Sequence, residues 1–274
     1  MNTSSAPTSS PTTSSPPTAS AIAWRDDGPA QRRRWDGAWP LKGPEVARLL
    51  AAYVVVVGIW ALIGRGYTAW TAPNAITRMD ERVANWFVDS RTGFLNDAST
   101  WCAYLADSYY KIGASVLIFL AFLWVWRRWY EAVYIGLPLV FEASAFIVIT
   151  NLVRRDRPDV EQLITSEIPS SFPSGHIAAA TVYAAIAVIV FKHTRNTFAR
   201  SVAVVLAVVV PVLVAWARLY QGVHYLTDGI AGVALGIASL VVSDRVLARH
   251  EPADLRAARD RERAEAQVVE PVAN

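Results

Sequence analysis

The sequence predicts an all-α integral membrane protein, a six-transmembrane-helix bundle with an extracytoplasmic amphipathic helix. Three observations lead there. Of 274 residues, 53% are apolar and only 18% charged, whereas soluble domains run nearer a quarter charged. The apolar residues fall in runs, 46–64, 112–126, 130–152, 175–191, 201–219 and 225–243, each close to the ~20 residues that span a bilayer. The polar residues that interrupt these runs gather in three clusters, and alternation of the spans puts all three at one membrane face.

The runs 112–126 and 175–191 are short and extend into their flanks. The fourth and sixth are rich in Ala and Gly, which lets helices approach closely. Between the first two runs, Ile76, Met79, Val83, Trp86 and Phe87 recur at helical spacing with charges on the other side. That pattern predicts an amphipathic helix, which fits the outer membrane surface and fits equally a helix capping the bundle. Glu142 is an acid within the third span, about 12 Å deeper than Thr150 at 1.5 Å per residue. It is expected to make an interhelical hydrogen bond rather than to reach the polar clusters.

Orientation follows from Lys and Arg in the short loops. Arg25, Arg32, Arg33, Arg34, Lys42 and Arg48 precede the first span. Arg127 and Arg128, then Lys192, Arg195 and Arg200, then Arg245 and Arg249 follow the second, fourth and sixth. All lie on one side, which predicts that side, with both termini, to be cytoplasmic and the protein to be multi-pass in the cell membrane. Residues 1–45 open with twelve Ser or Thr and four Pro in twenty positions. They lack an apolar core and read as a disordered, then basic, N-terminus rather than a signal peptide. Residues 46–245 form the membrane domain, and 246–274 a charged, solvated tail. A net charge of +3 is too small to suggest nucleic acid. The single cysteine, Cys102, excludes an intrachain disulfide and a cysteine-based metal cluster.

The three clusters carry the chemistry. They are Arg154-Arg155-Asp156-Arg157-Pro158, Pro173-Ser174-Gly175-His176, and Arg218-Leu219-Tyr220-Gln221-Gly222-Val223-His224 with Asp228 beyond. Phosphoryl transfer needs preorganised donors around the phosphoryl oxygens. Arg157 and Arg218, with Arg155 close by, offer planar guanidinium forks. Ser174 and Gly175 stand where a helix begins, a site of free N–H groups and favourable dipole. His224 and Asp228 are four apart, hence on one helical face, so Asp228 can accept one ring N–H and leave the other nitrogen to attack. His176 can protonate a leaving oxygen, with an ordinary pKa near 6.5. Taken singly, each cluster also fits a plain helix terminus or a loop at the lipid headgroups. Their shared spacing, order and membrane side favour a site.

Together these elements resemble the three motifs of the type 2 phosphatidic acid phosphatase (PAP2) superfamily. The likeness is carried by Arg157-Pro158, by Pro173-Ser174-Gly175-His176, and by Arg218, His224 and Asp228. The resemblance implies a six-helix membrane fold and metal-independent hydrolysis of a lipid phosphomonoester or diphosphate, without a cofactor. It implies His224 as nucleophile, Asp228 as its partner and His176 as general acid, with Arg157, Arg218, Ser174 and Gly175 on the phosphate. Polyprenyl diphosphate, phosphatidic acid and phosphatidylglycerophosphate are the substrate classes it brings. Two positions depart from the pattern. Thr150 stands where the family's first motif has lysine, with Arg154 or Arg155 near enough to fill the gap. Ala217 stands where a serine usually precedes the motif arginine. A phosphotransferase using the same residues and a non-catalytic lipid-phosphate binder are the alternatives.

Overall fold

In the computed structural model, the described residues are 35, 37–69, 74–166 and 168–269, with side chains at 108, 109 and 266–269 left aside. All of them belong to one unit, Gln31–Asn274. The described elements are helices. They are α1 (Gly43–Ala69), α2 (Ala75–Asp89), α3 (Gly93–Tyr104), α4 (Ser108–Trp126) and α5 (Trp129–Val153). After a long loop come α6 (Gly175–Val182), α7 (Ala184–His193), α8 (Thr197–Tyr220), α9 (Leu226–Leu247) and α10 (Ala253–Val269).

Five segments are long and apolar enough to cross a membrane: Gly43–Ala69, Trp129–Val153, Gly175–His193, Thr197–Tyr220 and Leu226–His250. The predicted run 112–126 lies in α4, whose apolar stretch, Tyr110–Trp126, is shorter. Many large apolar side chains on these helices face outward, among them Leu62, Leu117, Val140, Val208 and Ile230. In water such a surface is unfavourable; in a bilayer it is the face expected of an integral membrane protein.

Helix ends follow the local sequence. Asn74 caps α2, its side chain accepting from Ile76 and Thr77 N–H groups at 2.8 and 3.0 Å. Thr92 caps α3 through Leu95 N–H, and Asn196 caps α8 through Ala199 N–H. The fourth span is broken at Tyr183, whose N–H reaches Ala180 three residues back, a local tightening that divides α6 from α7. The small residues of the fourth and sixth spans bring α6 and α9 together. A Cβ on Gly232 would lie 2.6 Å from the Ser174 carbonyl, and one on Gly236 would lie 2.6 Å from the Ala178 carbonyl. That approach sets the start of α6 against the start of α9.

Two regions differ from their sequence reading. The amphipathic helix read from Ile76 to Phe87 is α2; a second helix, α3, follows it after the Ser90–Thr92 turn and was not expected. α2 does expose Ile76 and Trp86, but Phe87 turns inward beside Ala84 and a carboxylate, Asp80. Residues 253–269, read as a solvated tail, form α10 and bury Leu255. Of the predicted disordered segment 1–45, residues 1–34 and 36 lie outside the described residues, while Trp35 and Trp39 stack edge-on against Trp129 at 5.6 and 5.2 Å.

Candidate active site

The three polar clusters meet at one end of the bundle. α5 ends at Arg154, in the left-handed region at φ 50°. That reversal lets the following arginines point in different directions. The loop then runs back through Ser170 and Ser171, pinned by a Ser171 N–H bond to the Arg155 carbonyl at 2.8 Å. Ser174 N–H donates to the Asp228 carbonyl at 3.1 Å, joining the second cluster to the third.

His224 is buried in the Gly222–Tyr225 turn between α8 and α9. Its Nδ1 lies 2.7 Å from the Ser171 carbonyl oxygen. A carbonyl only accepts, so Nδ1 carries the proton and Nε2 keeps its lone pair. The sequence reading gave this orienting role to Asp228. Its Oδ2 is 3.9 Å from Nδ1, because both of its oxygens are engaged elsewhere: Oδ1 with Arg155 Nη1 at 2.5 Å and Oδ2 with the Tyr225 N–H at 2.8 Å. Burial holds the His224 imidazole well below the ordinary imidazole range, with the charges of Arg218 and Arg157 adding to it. The ring is therefore neutral at pH 7.

Arg218 is buried, bonded through Nη1 to Gln221 Oε1 at 3.1 Å, and its Nε has no partner. Gln221 is in turn held by the Ser99 carbonyl. Arg157 gathers neutral oxygens: Ser166 Oγ at 2.6 Å, the Ile168 carbonyl at 2.8 Å, the Ser170 carbonyl at 3.3 Å, and the Val223 carbonyl. His176 stands in the first turn of α6, and the charges of Arg218, Lys111 and Arg157 all act on it. Ser174 occupies the N-cap position of α6, but its buried hydroxyl makes no cap bond and has no partner. Gly175 is needed for packing: a Cβ there would meet the Phe146 ring at 2.9 Å. Thr150 is buried with its hydroxyl unpartnered.

Arg155 is placed differently from the other arginines. Its Nη1 also donates to Thr227 Oγ1 at 2.8 Å, and its Nη2 to Asp80 Oδ2 at 2.9 Å. It is committed to two carboxylates. Arg154 is exposed, with Nε on the Asn151 carbonyl at 3.2 Å. Glu142 is buried, and neither of its oxygens makes the expected hydrogen bond. Sequence reasoning missed Ser171, Gln221, Lys111 and Asp80. Of these, Asp80 alone left a signal, lying on the helical face of Ala84 and Phe87 at i, i+4 and i+7.

One end of the bundle thus gathers His176, His224, Arg157 and Arg218, and the two arginines hydrogen-bond neutral oxygens rather than carboxylates. Known proteins agree. The model of the PAP2 superfamily matches residues 131–251. The chain is 32% identical over 168 residues to phosphatidylglycerophosphatase B of Bacillus subtilis (strain 168), covering 60% of this chain and 81% of that one. It is 31% identical over 138 residues to a decaprenylphosphoryl-5-phosphoribose phosphatase of Mycobacterium tuberculosis, covering 49% and 72%. Its fold matches the crystal structure of a transmembrane PAP2 type phosphatidylglycerolphosphate phosphatase from Bacillus subtilis, with a TM-score of 0.61 and 24% identity over 76% of this chain and 98% of the other. The chain belongs to the PAP2 superfamily and is a membrane lipid phosphatase.

Proposed function

We propose that this protein removes phosphate from the head group of an amphiphilic lipid through a phosphohistidine on His224. The observation that carries this reading is the His224 ring, neutral and buried, with its Nδ1–H on the Ser171 carbonyl. In the first step Nε2 bonds to phosphorus as the bond to the leaving oxygen breaks, and His176 delivers a proton to that oxygen. In the second, His176 takes a proton from water, the water oxygen bonds to phosphorus and the P–Nε2 bond breaks. Inorganic phosphate leaves, and both rings return to their starting states. Asp228 offsets the positive charge that develops on the His224 ring. Arg218, Arg157, the free Ser174 hydroxyl and the first N–H groups of α6 hold the phosphoryl oxygens.

Lys111 supplies a third cation. It lies at one end of an apolar cavity of about 370 Å³ between α4 and α5, lined by Ile112, Val116, Phe119, Leu139 and Val140. A lipid chain in this cavity brings its head group towards His176, on which the Lys111 charge already acts. The relatives' names, a phosphatidylglycerophosphatase and a decaprenylphosphoryl-5-phosphoribose phosphatase, set lipid-borne phosphates at the head of the substrate panel. In this reading α4 completes six spans across residues 46–245. The site and α2 lie on the extracytoplasmic face, and residues 1–45 and 246–274 are cytoplasmic. The arginine-rich loops at the opposite end support that orientation.

The test is phosphate release by purified protein in detergent from a panel of lipid phosphates, beside His224→Ala. Release from the parent that vanishes in the variant is the expected result. Undiminished release from His224→Ala would overturn the reading, and labelled phosphate recovered on an acceptor other than water would indicate a transferase.

A further inference from the structure

Asp80 sits on a surface helix yet is 1% exposed. A carboxylate this buried is retained only if charge and hydrogen bonds compensate it. Here both oxygens are used. Oδ1 accepts the Thr227 N–H at 3.1 Å. Oδ2 accepts the Thr227 hydroxyl at 2.5 Å and Arg155 Nη2 at 2.9 Å. Thr227 lies in the first turn of α9, so Asp80 is a capping anion for that helix, supplied from α2.

Arg155 stands between two anions. Its guanidinium is stacked between the rings of Tyr225 and Tyr67, 4.3 and 5.1 Å from their centroids. Its two nitrogens reach Asp80 on one side and Asp228 on the other. Asp228 faces His224 at 3.9 Å. The chain of contacts therefore runs from Asp80 through Arg155 to Asp228 and the His224 ring. The charges matter as much as the distances. Arg155 carries one positive charge and meets two carboxylates, so Asp80 leaves Asp228 with surplus negative charge to place beside His224. Without Asp80, Arg155 is free to neutralise Asp228 fully and to draw it off the ring.

We infer that Asp80 is a positioning residue for the phosphatase reaction, acting through Arg155 to fix Asp228 beside His224. The inference rests on His224 being the nucleophile. It assigns Arg155 to the support of Asp228 rather than to the phosphate.

Asp80→Asn keeps the shape and removes the charge. The expected result is a kcat lower by roughly tenfold to a hundredfold with KM within about twofold, the mark of lost alignment rather than lost binding. Because Asp80 acts through Arg155, the double variant Asp80→Asn with Arg155→Gln should be no slower than Arg155→Gln alone. His224→Ala is run in the same assay. If it retains activity, the reading of the site fails. If it is inactive while Asp80→Asn matches the parent kcat, or if the two losses multiply in full in the double variant, the role of Asp80 is overturned. Should Asp80→Asn not fold, Thr227→Val removes the shared hydroxyl and leaves both charges. A several-fold loss of kcat at constant KM is then expected, and parental kcat would overturn the inference.

Discussion

The two ends of the bundle use the same residue types differently. At the end away from His176 and His224, cations meet carboxylates. Arg128 bonds Glu131 at 2.8 and 2.9 Å and Asp254 at 3.0 Å. Lys192 meets Glu251 at 2.6 Å, and Arg200 meets Glu262 at 2.8 Å. His193 lies 3.2 Å from Glu131 and stacks on Trp126. The pairs to Asp254 and Glu262 dock α10 on the bundle. At the site end, Arg218 and Arg157 bond only neutral oxygens among the described residues. Asp228 and Asp107 act on them only through space, and a desolvated cation without a bonded anion is unfavourable. A site that receives a phosphate supplies that anion from outside. Arg155 sits at the site end but is paired like the arginines of the opposite end. Pairing, rather than position in the sequence, separates arginines that bind from arginines that hold.

His224→Asn is the largest break available. It should lower turnover by about 10⁴-fold or more, since removal of a nucleophile leaves only the binding contribution. Single-turnover release of phosphate from a lipid substrate measures it. The comparison itself is tested by Arg218→Gln against Arg128→Gln. Arg218→Gln should cost about 10²–10³-fold in kcat with little loss of thermal stability, because no ion pair is broken. Arg128→Gln should leave kcat unchanged but lower stability by about 3 kcal/mol, as it strands the buried Glu131. Thermal unfolding and kinetics on both variants check this. A reversed pattern would dissolve the distinction between the two ends.

The bundle and the meeting of the three clusters were legible because they rest on periodicity and spacing. Asp228 lies in the first turn of α9 with His224 just ahead of it, 3.9 Å from its carboxylate, and Ser174 does open α6 beside them. The pairings were not legible. Three arginines fall within four positions, and the left-handed turn at Arg154 decides where each points. The group that orients His224 is the Ser171 backbone carbonyl, which no residue letter announces. Asp80 sits among charges that read as a solvated face. Only its alignment with Ala84 and Phe87 marks it as inward. The docking of α10 was not legible because its ion pairs lie far away in sequence, with Arg128, Arg195 and Arg200.

The neutrality of His224 sets a pH signature. kcat/KM reports the free enzyme, so its acid limb should lie below pH ~6.5, the ordinary imidazole value. Stability follows the same group. Below about 6.5 the unfolded chain gains a proton on this residue that the folded chain does not, so stability drops as pH falls through that window and is fully present above it. His224→Asn should flatten this part of the stability profile between pH 5 and 7, and an unchanged slope would remove His224 as its source.

The smallest expected effect concerns Thr150, where the family pattern has lysine. Arg155 does not fill the gap, being held by Asp80 and Asp228. Arg154 is exposed, its Nε on Asn151. Lys111 is the cation whose charge reaches His176 from α4. Thr150→Lys alone should therefore change kcat by less than about twofold, while Lys111→Met should lower it by roughly tenfold, the scale of one lost charge contact. In the Lys111→Met background, Thr150→Lys should recover part of the loss, because a cation then returns to the site from α5. A large gain from Thr150→Lys in the parent would show that the site lacks a cation that Lys111 does not provide. Failure of the rescue, with Lys111→Met impaired, would separate the work of Lys111 from that of the missing lysine.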